Sequence, residues 1–74
     1  MQTLETTFIT YHASAGGIHL RTSDGIIAID KKKEELVGRA KTFRRGQKIR
    51  IAGERAVSKA LSTWVFEAED IDAA

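Results

Sequence analysis

The sequence predicts one small domain of mostly β-structure, in which three strands are followed by a helix and two further strands. Three observations lead to this prediction. Threonine, β-branched and aromatic residues dominate residues 3–12, an Asp-Gly pair separates two alternating segments, and an apolar stripe at helical spacing lies within residues 31–45. The chain has 74 residues, so a single domain over residues 1–74 leaves no room for a second.

The first half of the chain predicts three strands. Residues 3–12 have a composition that is typical of a strand, and the small residues 13–17 (Ala-Ser-Ala-Gly-Gly) predict a loop. Residues 18–22 alternate between apolar and polar side chains, as a strand with one buried face does. Residues 26–30 form the next strand, and both segments belong to one hairpin.

The Asp24 and Gly25 pair predicts the register of this hairpin. If these two residues form a type I′ turn, Thr22 pairs with Ile27 and Leu20 with Ile29. The resulting core face consists of Ile18, Leu20, Thr22, Ile27 and Ile29. The solvent face consists of His19, Arg21, Ile26, Ala28 and Asp30.

A helix is predicted over residues 31–45, with Asp30 as its N-cap and Gly46 as its C′ residue. The apolar stripe consists of Leu36, Val37, Ala40 and Phe43. The lysines at residues 31–33 oppose the positive end of the helix dipole, and Gly38 weakens the helix further. We therefore expect this helix to depend on packing against the rest of the domain.

Two strands complete the chain. Residues 47–57 predict a long fourth strand with a bulge or sharp bend at Gly53. Residues 58–61 predict a loop, residues 62–69 the last strand, and residues 70–74 a short acidic tail. The order is therefore β1-β2-β3-α-β4-β5.

This order, with a bent fourth strand after the helix, is that of the OB-fold, a five-stranded Greek-key barrel. Residues 46–53 (Gly-Gln-Lys-Ile-Arg-Ile-Ala-Gly) resemble the start of the fourth strand in many bacterial OB domains. Residues 63–71 (Thr-Trp-Val-Phe-Glu-Ala-Glu-Asp-Ile) are similar to their closing strand. The chain thus resembles a small bacterial OB-fold protein of the nucleic-acid-binding type. An SH3-like barrel is the alternative fold, which the long helix disfavours.

The net charge of +2 conceals an uneven distribution. Residues 1–30 carry −2, residues 31–59 carry +8 from eleven basic and three acidic residues, and residues 60–74 carry −4. A basic middle segment of this size is typical of a protein with a polyanionic partner. The alternative interpretation is a solvated helix face of mixed charge.

The resemblance implies where a nucleic acid would bind. In OB-folds, the second and third strands and the loops joining strands one to two and four to five form the binding face. The candidate nucleic-acid-binding residues are Tyr11, His19, Arg21, Lys48, Arg50, Arg55, Lys59 and Trp64. For Tyr11 and Trp64 the core interpretation is favoured over the binding role, for Trp64 because it shares strand parity with Phe66. The cations have a solvent-exposed strand face as their alternative role.

Several functional classes are disfavoured by composition. The chain has no cysteine, so disulfides and zinc-thiolate sites are excluded, and its two histidines are a weak metal signal. No catalytic constellation is recognisable, so we expect neither an enzyme nor a bound cofactor. No stretch of 18 apolar residues and no signal peptide are present, which predicts a cytoplasmic protein without a membrane partner.

The leading functional hypothesis is a small protein that binds single-stranded DNA or RNA with little sequence preference. The alternative is a protein-interaction or assembly module, either a homo-oligomer or a subunit of a larger complex. The choice stays open at this stage because a fold does not decide a function.

Overall fold

The computed structural model describes residues 1–14, 17–59 and 61–74. Its elements are β1 (Gln2–Ser14), β2 (Gly17–Thr22), β3 (Gly25–Ile29), α1 (Glu34–Thr42), β4 (Lys48–Ser58) and β5 (Thr63–Ala73). The protein is therefore mostly β with one helix, and the helix lies between the third and fourth strands as the sequence predicts.

The five strands form one closed ring in the spatial order β1-β2-β3-β5-β4. This order differs from the chain order because β5 lies between β3 and β4. Strand β1 closes the ring, since residues 2–7 pair with β4 and residues 8–14 pair with β2. A register irregularity between Phe8 and Thr10 marks the point where β1 passes from one neighbour to the other. The β3–β5 contact is parallel, whereas the other described strand pairs are antiparallel.

The interior of the ring holds the apolar residues that alternate along the strands. The largest fully buried side chains are Leu20, Ile27, Ile49, Ile51 and Ile71. Helix α1 adds its predicted stripe to this core, with Leu36 and Ala40 buried and Val37 and Phe43 partly buried against it. The Phe43 ring meets Phe8 edge-on, with 5.8 Å between ring centroids. The weak isolated helix is thus held by tertiary packing.

The β2–β3 hairpin has the predicted faces but a different register. Thr22 pairs with Gly25 and Leu20 with Ile27, so the loop consists of Ser23 and Asp24. A type I′ turn needs positive φ at both loop residues, but in this turn only Gly25 has it, at 122°. The Thr22 hydroxyl accepts a hydrogen bond from the Asp24 amide and donates one to the Gly25 carbonyl. These two hydrogen bonds stabilise the observed turn. Because the shift is two residues, every side chain keeps its predicted face.

The helix is shorter than predicted at both ends. Asp30 does not cap it; its side chain accepts from the Lys32 amide at 2.9 Å, in a turn that precedes the helix. The lysines at residues 31–33 therefore lie before the first helical residue, and the first turn carries acidic side chains that suit the positive end of the dipole. At the other end Phe43 is already extended, and Gly46 (φ 89°) lies in the turn that leads into β4.

Strands β1 and β5 are longer than predicted. Strand β1 continues to Ser14, and of the predicted loop at residues 13–17, Ala15 and Gly16 lie outside the described residues. Strand β5 continues to Ala73, so the prediction of an acidic tail is wrong. Ile71 is 1% exposed and pairs with Ile51, so this segment is part of the closed ring of strands.

The predicted bend at Gly53 is confirmed. The β4–β5 register shifts between Ala52 and Gly53. A Cβ atom at Gly53 would overlap the carbonyl oxygen of Glu67, so the two backbones approach too closely for any side chain. Beyond this bend, residues 54–58 of β4 pair with β5 and not with β1, and we call this paired segment with its loop (residues 54–66) the hairpin arm.

Candidate nucleic-acid interface

The outer face of β1, β2 and β3 contains a groove with a volume of about 290 Å³, which we call the histidine groove. It is lined by Thr10, His12, His19, Arg21, Ile26 and Leu61. Three strands and the loop of the hairpin arm therefore contribute to it. Two of the predicted binding residues, His19 and Arg21, lie here.

Strand register explains how the histidine groove is assembled. His12 lies directly opposite His19, and Thr10 lies directly opposite Arg21. Arg21 in turn lies opposite Ile26 of β3. Directly opposite residues project from the same face of a sheet with Cβ atoms about 4.5–5.5 Å apart. No carboxylate is among the described residues that line this groove, so Arg21 gives it a positive formal charge.

A second groove of about 640 Å³, which we call the tryptophan groove, adjoins the first. It is lined by Gln2, Thr3, Leu4, Asp24, Gly25, Ile26, Ile27, Arg55, Trp64, Val65 and Phe66. Ile26 lines both grooves. The two grooves therefore follow one another across β3, from Trp64 and Arg55 on one side to Arg21 and the histidines on the other.

Trp64 does not follow the parity that favours a core position. Phe66 and Ala68 are buried, but Trp64 is 64% exposed. It pairs with Val57 on the hairpin arm, where β4 no longer has β1 as a neighbour, and Val65 turns inward instead. The hairpin arm exposes three large apolar side chains, those of Val57 (58% exposed), Leu61 (40% exposed) and Trp64, which we call the arm tip.

Tyr11 occupies a position at the edge of the core, as the core interpretation predicts. Its side chain is partly buried and packs against the hydrophobic core. Its neighbours Thr10 and His12 line the histidine groove, and successive side chains of a strand point to opposite faces. Tyr11 therefore does not present its ring to either groove.

Lys48 and Arg50 are exposed but line neither groove. Both lie on the first half of β4, which is flanked by β1 and β5. Arg50 pairs with Glu5 on one side, with 3.5 Å between Nη2 and Oε2, and lies opposite Asp72 on the other. The structure thus separates these two cations from Arg21 and Arg55.

Lys59 lines a third groove, which we call the mixed groove. His19 lines this groove as well. The charged residues that line it are Asp30, Lys33, Lys59, Glu67 and Glu69. Lys33 is already paired with Glu69, with 3.2 Å between Nζ and Oε2. The mixed groove therefore attracts anions less than the histidine groove does.

The basic middle segment is partly neutralised by the acidic end of the chain. Arg39 on α1 forms ion pairs with Glu35 (2.6 Å) and Asp70 (3.0 Å), and Lys33 pairs with Glu69. The excess of +8 seen along the sequence is therefore not one exposed basic surface. Three cations of this segment line the grooves, namely Arg55, Lys59 and the ion-paired Lys33.

Four residues of the histidine groove were not predicted to bind nucleic acid from the sequence. They are Thr10, His12, Ile26 and Leu61. Alternation along β1 places Thr10 and His12 on the side away from Tyr11, which is a signal that sequence alone contains. The contact of Leu61 with this groove depends on how the hairpin arm bends, and no local pattern reports it.

In the described part of the chain, no group of three or more histidine, cysteine or acidic residues is placed to hold a metal ion. Across residues 1–14, 17–59 and 61–74, no helix is long and apolar enough to cross a membrane. No protein-family model, curated protein or solved structure matches this chain.

Proposed function

We propose that this protein is an OB-type barrel that binds single-stranded nucleic acid, with little sequence preference and without catalysis. The ring order β1-β2-β3-β5-β4, closed by β1, supports this fold, as does a helix between the third and fourth strands. In OB-folds, oligonucleotides bind across strands two and three and the loop between strands four and five. The two adjoining grooves occupy that region.

The observation that carries the proposal is the exposure of Trp64 beside Arg55 in one groove. An aromatic ring that stacks on a base contributes about 1–3 kcal/mol per base. Every base offers a π-face, so stacking explains binding without sequence preference. Arg55 lies at the same groove and is positioned for the adjacent phosphate.

The histidine groove extends the path past Ile26. Arg21 supplies a guanidinium group, which matches the geometry of a phosphate. His19 and Ile26 provide a surface on which a second base can lie. The residues proposed to contact the strand are His19, Arg21, Arg55, Lys59 and Trp64.

The proposal is tested by fluorescence anisotropy with labelled oligothymidylate and its RNA counterpart across a salt series. Three cations beside the grooves (Arg21, Arg55 and Lys59) predict a slope of log K against log salt of about −2 for a single strand. Trp64→Ala should weaken binding, whereas Lys48→Ala, outside the two adjoining grooves, should leave it nearly unchanged. The absence of binding at low salt would refute the proposal.

The arm tip favours a second candidate function, that of a protein-interaction module. Val57, Leu61 and Trp64 expose apolar surface on the hairpin arm, and Val57 lies directly opposite Trp64. Adjacent exposed apolar side chains are typical of surfaces that contact another protein. Light scattering separates the two functions, because a stable oligomer that ignores oligonucleotides and dissociates on Trp64→Ala would favour the assembly module.

A further inference from the structure

Base stacking does not use the hydrogen-bonding groups of His12 and His19. The two imidazoles face each other across β1 and β2, next to the Thr10–Arg21 pair. All four side chains can donate a hydrogen bond, and no carboxylate lines the groove they share. Such a set of donors suits the oxygens of an anion.

We infer that the histidine groove holds an oxyanion site, occupied by a phosphate group of the bound strand, whose affinity rises as pH falls. This inference rests on the proposed function for its natural ligand. The shared chemistry is that of a tetrahedral oxyanion, from a nucleic-acid backbone or free in solution. The experiment below separates these two sources.

The pH dependence follows from the cross-strand pairing. Imidazole titrates between about pH 5 and pH 8. Two positive charges placed directly opposite each other on a sheet, as the His12 and His19 positions are, would repel. An oxyanion between them removes this repulsion. Anion binding and proton uptake therefore support each other, and affinity is highest at low pH.

Other charged groups face the pair from the neighbouring elements. Arg21 of β2 shares the groove and adds a permanent positive charge. His19 also lines the mixed groove. The charged residues of that groove are Asp30, Lys33, Lys59, Glu67 and Glu69. From β3 the partner of His19 is the uncharged Ala28. The carboxylates of the mixed groove do not line the histidine groove itself.

Sodium sulfate is the probe, because sulfate keeps its double charge over this range and only the protein titrates. Amide chemical shifts would be followed by NMR at about pH 5.5 and about pH 8, with sodium chloride at equal ionic strength as the control. We expect sulfate to perturb the amides of Thr10, His12, His19 and Arg21. Affinity should be stronger at the lower pH, by about two- to fivefold for each protonated imidazole.

His12→Gln and His19→Gln should each reduce the pH dependence, and the double variant should abolish it. Lys48→Gln is the matched control, because it removes one positive charge outside the histidine groove and should keep the pH dependence. Thermal unfolding would verify that each variant is folded, and the wild-type comparison at two pH values needs no variant. Equal sulfate affinity at both pH values, or pH dependence that survives in the double variant, would overturn the inference.

The oligonucleotide measurement distinguishes this inference from the proposed function. If sulfate binds with the expected pH dependence but oligothymidylate does not bind, the oxyanion site stands and the proposed function fails. If oligothymidylate binds through Trp64 with the same affinity at both pH values after salt correction, the proposed function stands and the inference fails.

Discussion

The two halves of β4 behave differently although they belong to one strand. Before Gly53, the strand lies between β1 and β5, Ile49 and Ile51 are fully buried, and Arg50 is flanked by Glu5 and Asp72. After Gly53 it pairs with β5 alone, and Val57 is mostly exposed. Alternation therefore predicts burial only where a strand has neighbours on both sides and an interior to face. The half without that constraint carries Arg55 and pairs with the segment of β5 that carries Trp64, and both residues are proposed to contact the nucleic-acid strand.

The largest effect is expected from a change at the bend that separates the halves. Gly53→Val places side-chain atoms where the Glu67 carbonyl lies, so the two strands cannot keep their register. We expect a loss of about 4 kcal/mol or more in the free energy of unfolding, which is much of what a domain of this size has. Urea denaturation measures it. Gly38→Ala is the control, because a Cβ there meets nothing within 4 Å and alanine favours a helix. Equal stability of Gly53→Val and wild type would show that the bend is dispensable.

The next effect compares one apolar residue from each half. Ile51→Ala removes a fully buried side chain and should lower the free energy of unfolding by about 2–4 kcal/mol. Val57→Ala removes an exposed side chain and should change it by about 0.5 kcal/mol or less. Thermal unfolding of both variants provides the comparison. Similar losses would mean that the hairpin arm packs as tightly as the ring.

The third effect concerns binding. Trp64→Ala should weaken oligonucleotide affinity by about 1–3 kcal/mol, because one base loses its stacking surface. The free energy of unfolding should change little, since the ring is 64% exposed. Anisotropy and thermal unfolding of the same sample separate the two quantities. A variant that binds as well as wild type would remove Trp64 from the interface.

The smallest effect compares one arginine from each half. Arg55→Ala should reduce the salt slope of oligonucleotide binding by about 0.7, the value for one phosphate contact on a single strand. Arg50→Ala should leave the slope unchanged, because Arg50 lines neither groove and pairs with Glu5. A salt series on both variants makes the test. Equal changes in slope would indicate attraction by net charge rather than by a defined path.

Sequence reasoning was accurate where a local pattern coincided with a buried interior. The faces of the β2–β3 hairpin, the stripe on α1 and the bend at Gly53 all follow from residue spacing. It was wrong where two local signals competed. Asp24 and Gly25 suggested a type I′ loop, but hydrogen bonds of the Thr22 hydroxyl select a turn one residue earlier. The acidic residues near the chain end suggested a tail, but Ile71 adds enough burial to continue β5.

The candidate site was predictable in part. His19 and Arg21 follow from the solvent face of β2, and the structure places both in the histidine groove. Lys48, Arg50 and Arg55 of β4 were all candidate binding residues, yet Lys48 and Arg50 lie outside both grooves, while Arg55 lines the tryptophan groove. Trp64 was ambiguous because its parity matches Phe66, and only the position of the hairpin arm decides its exposure.

The sequence by itself determined the number and order of the elements and the inward side chains of the strands within the ring, because these depend on spacing along one strand or helix. Only the tertiary structure decided which side chains of the hairpin arm are buried and which distant residues meet. The junction of two grooves at Ile26 and the pairing of Arg39 with Asp70 both join residues far apart in the chain. Such contacts depend on ring closure and strand register, and no local pattern encodes them.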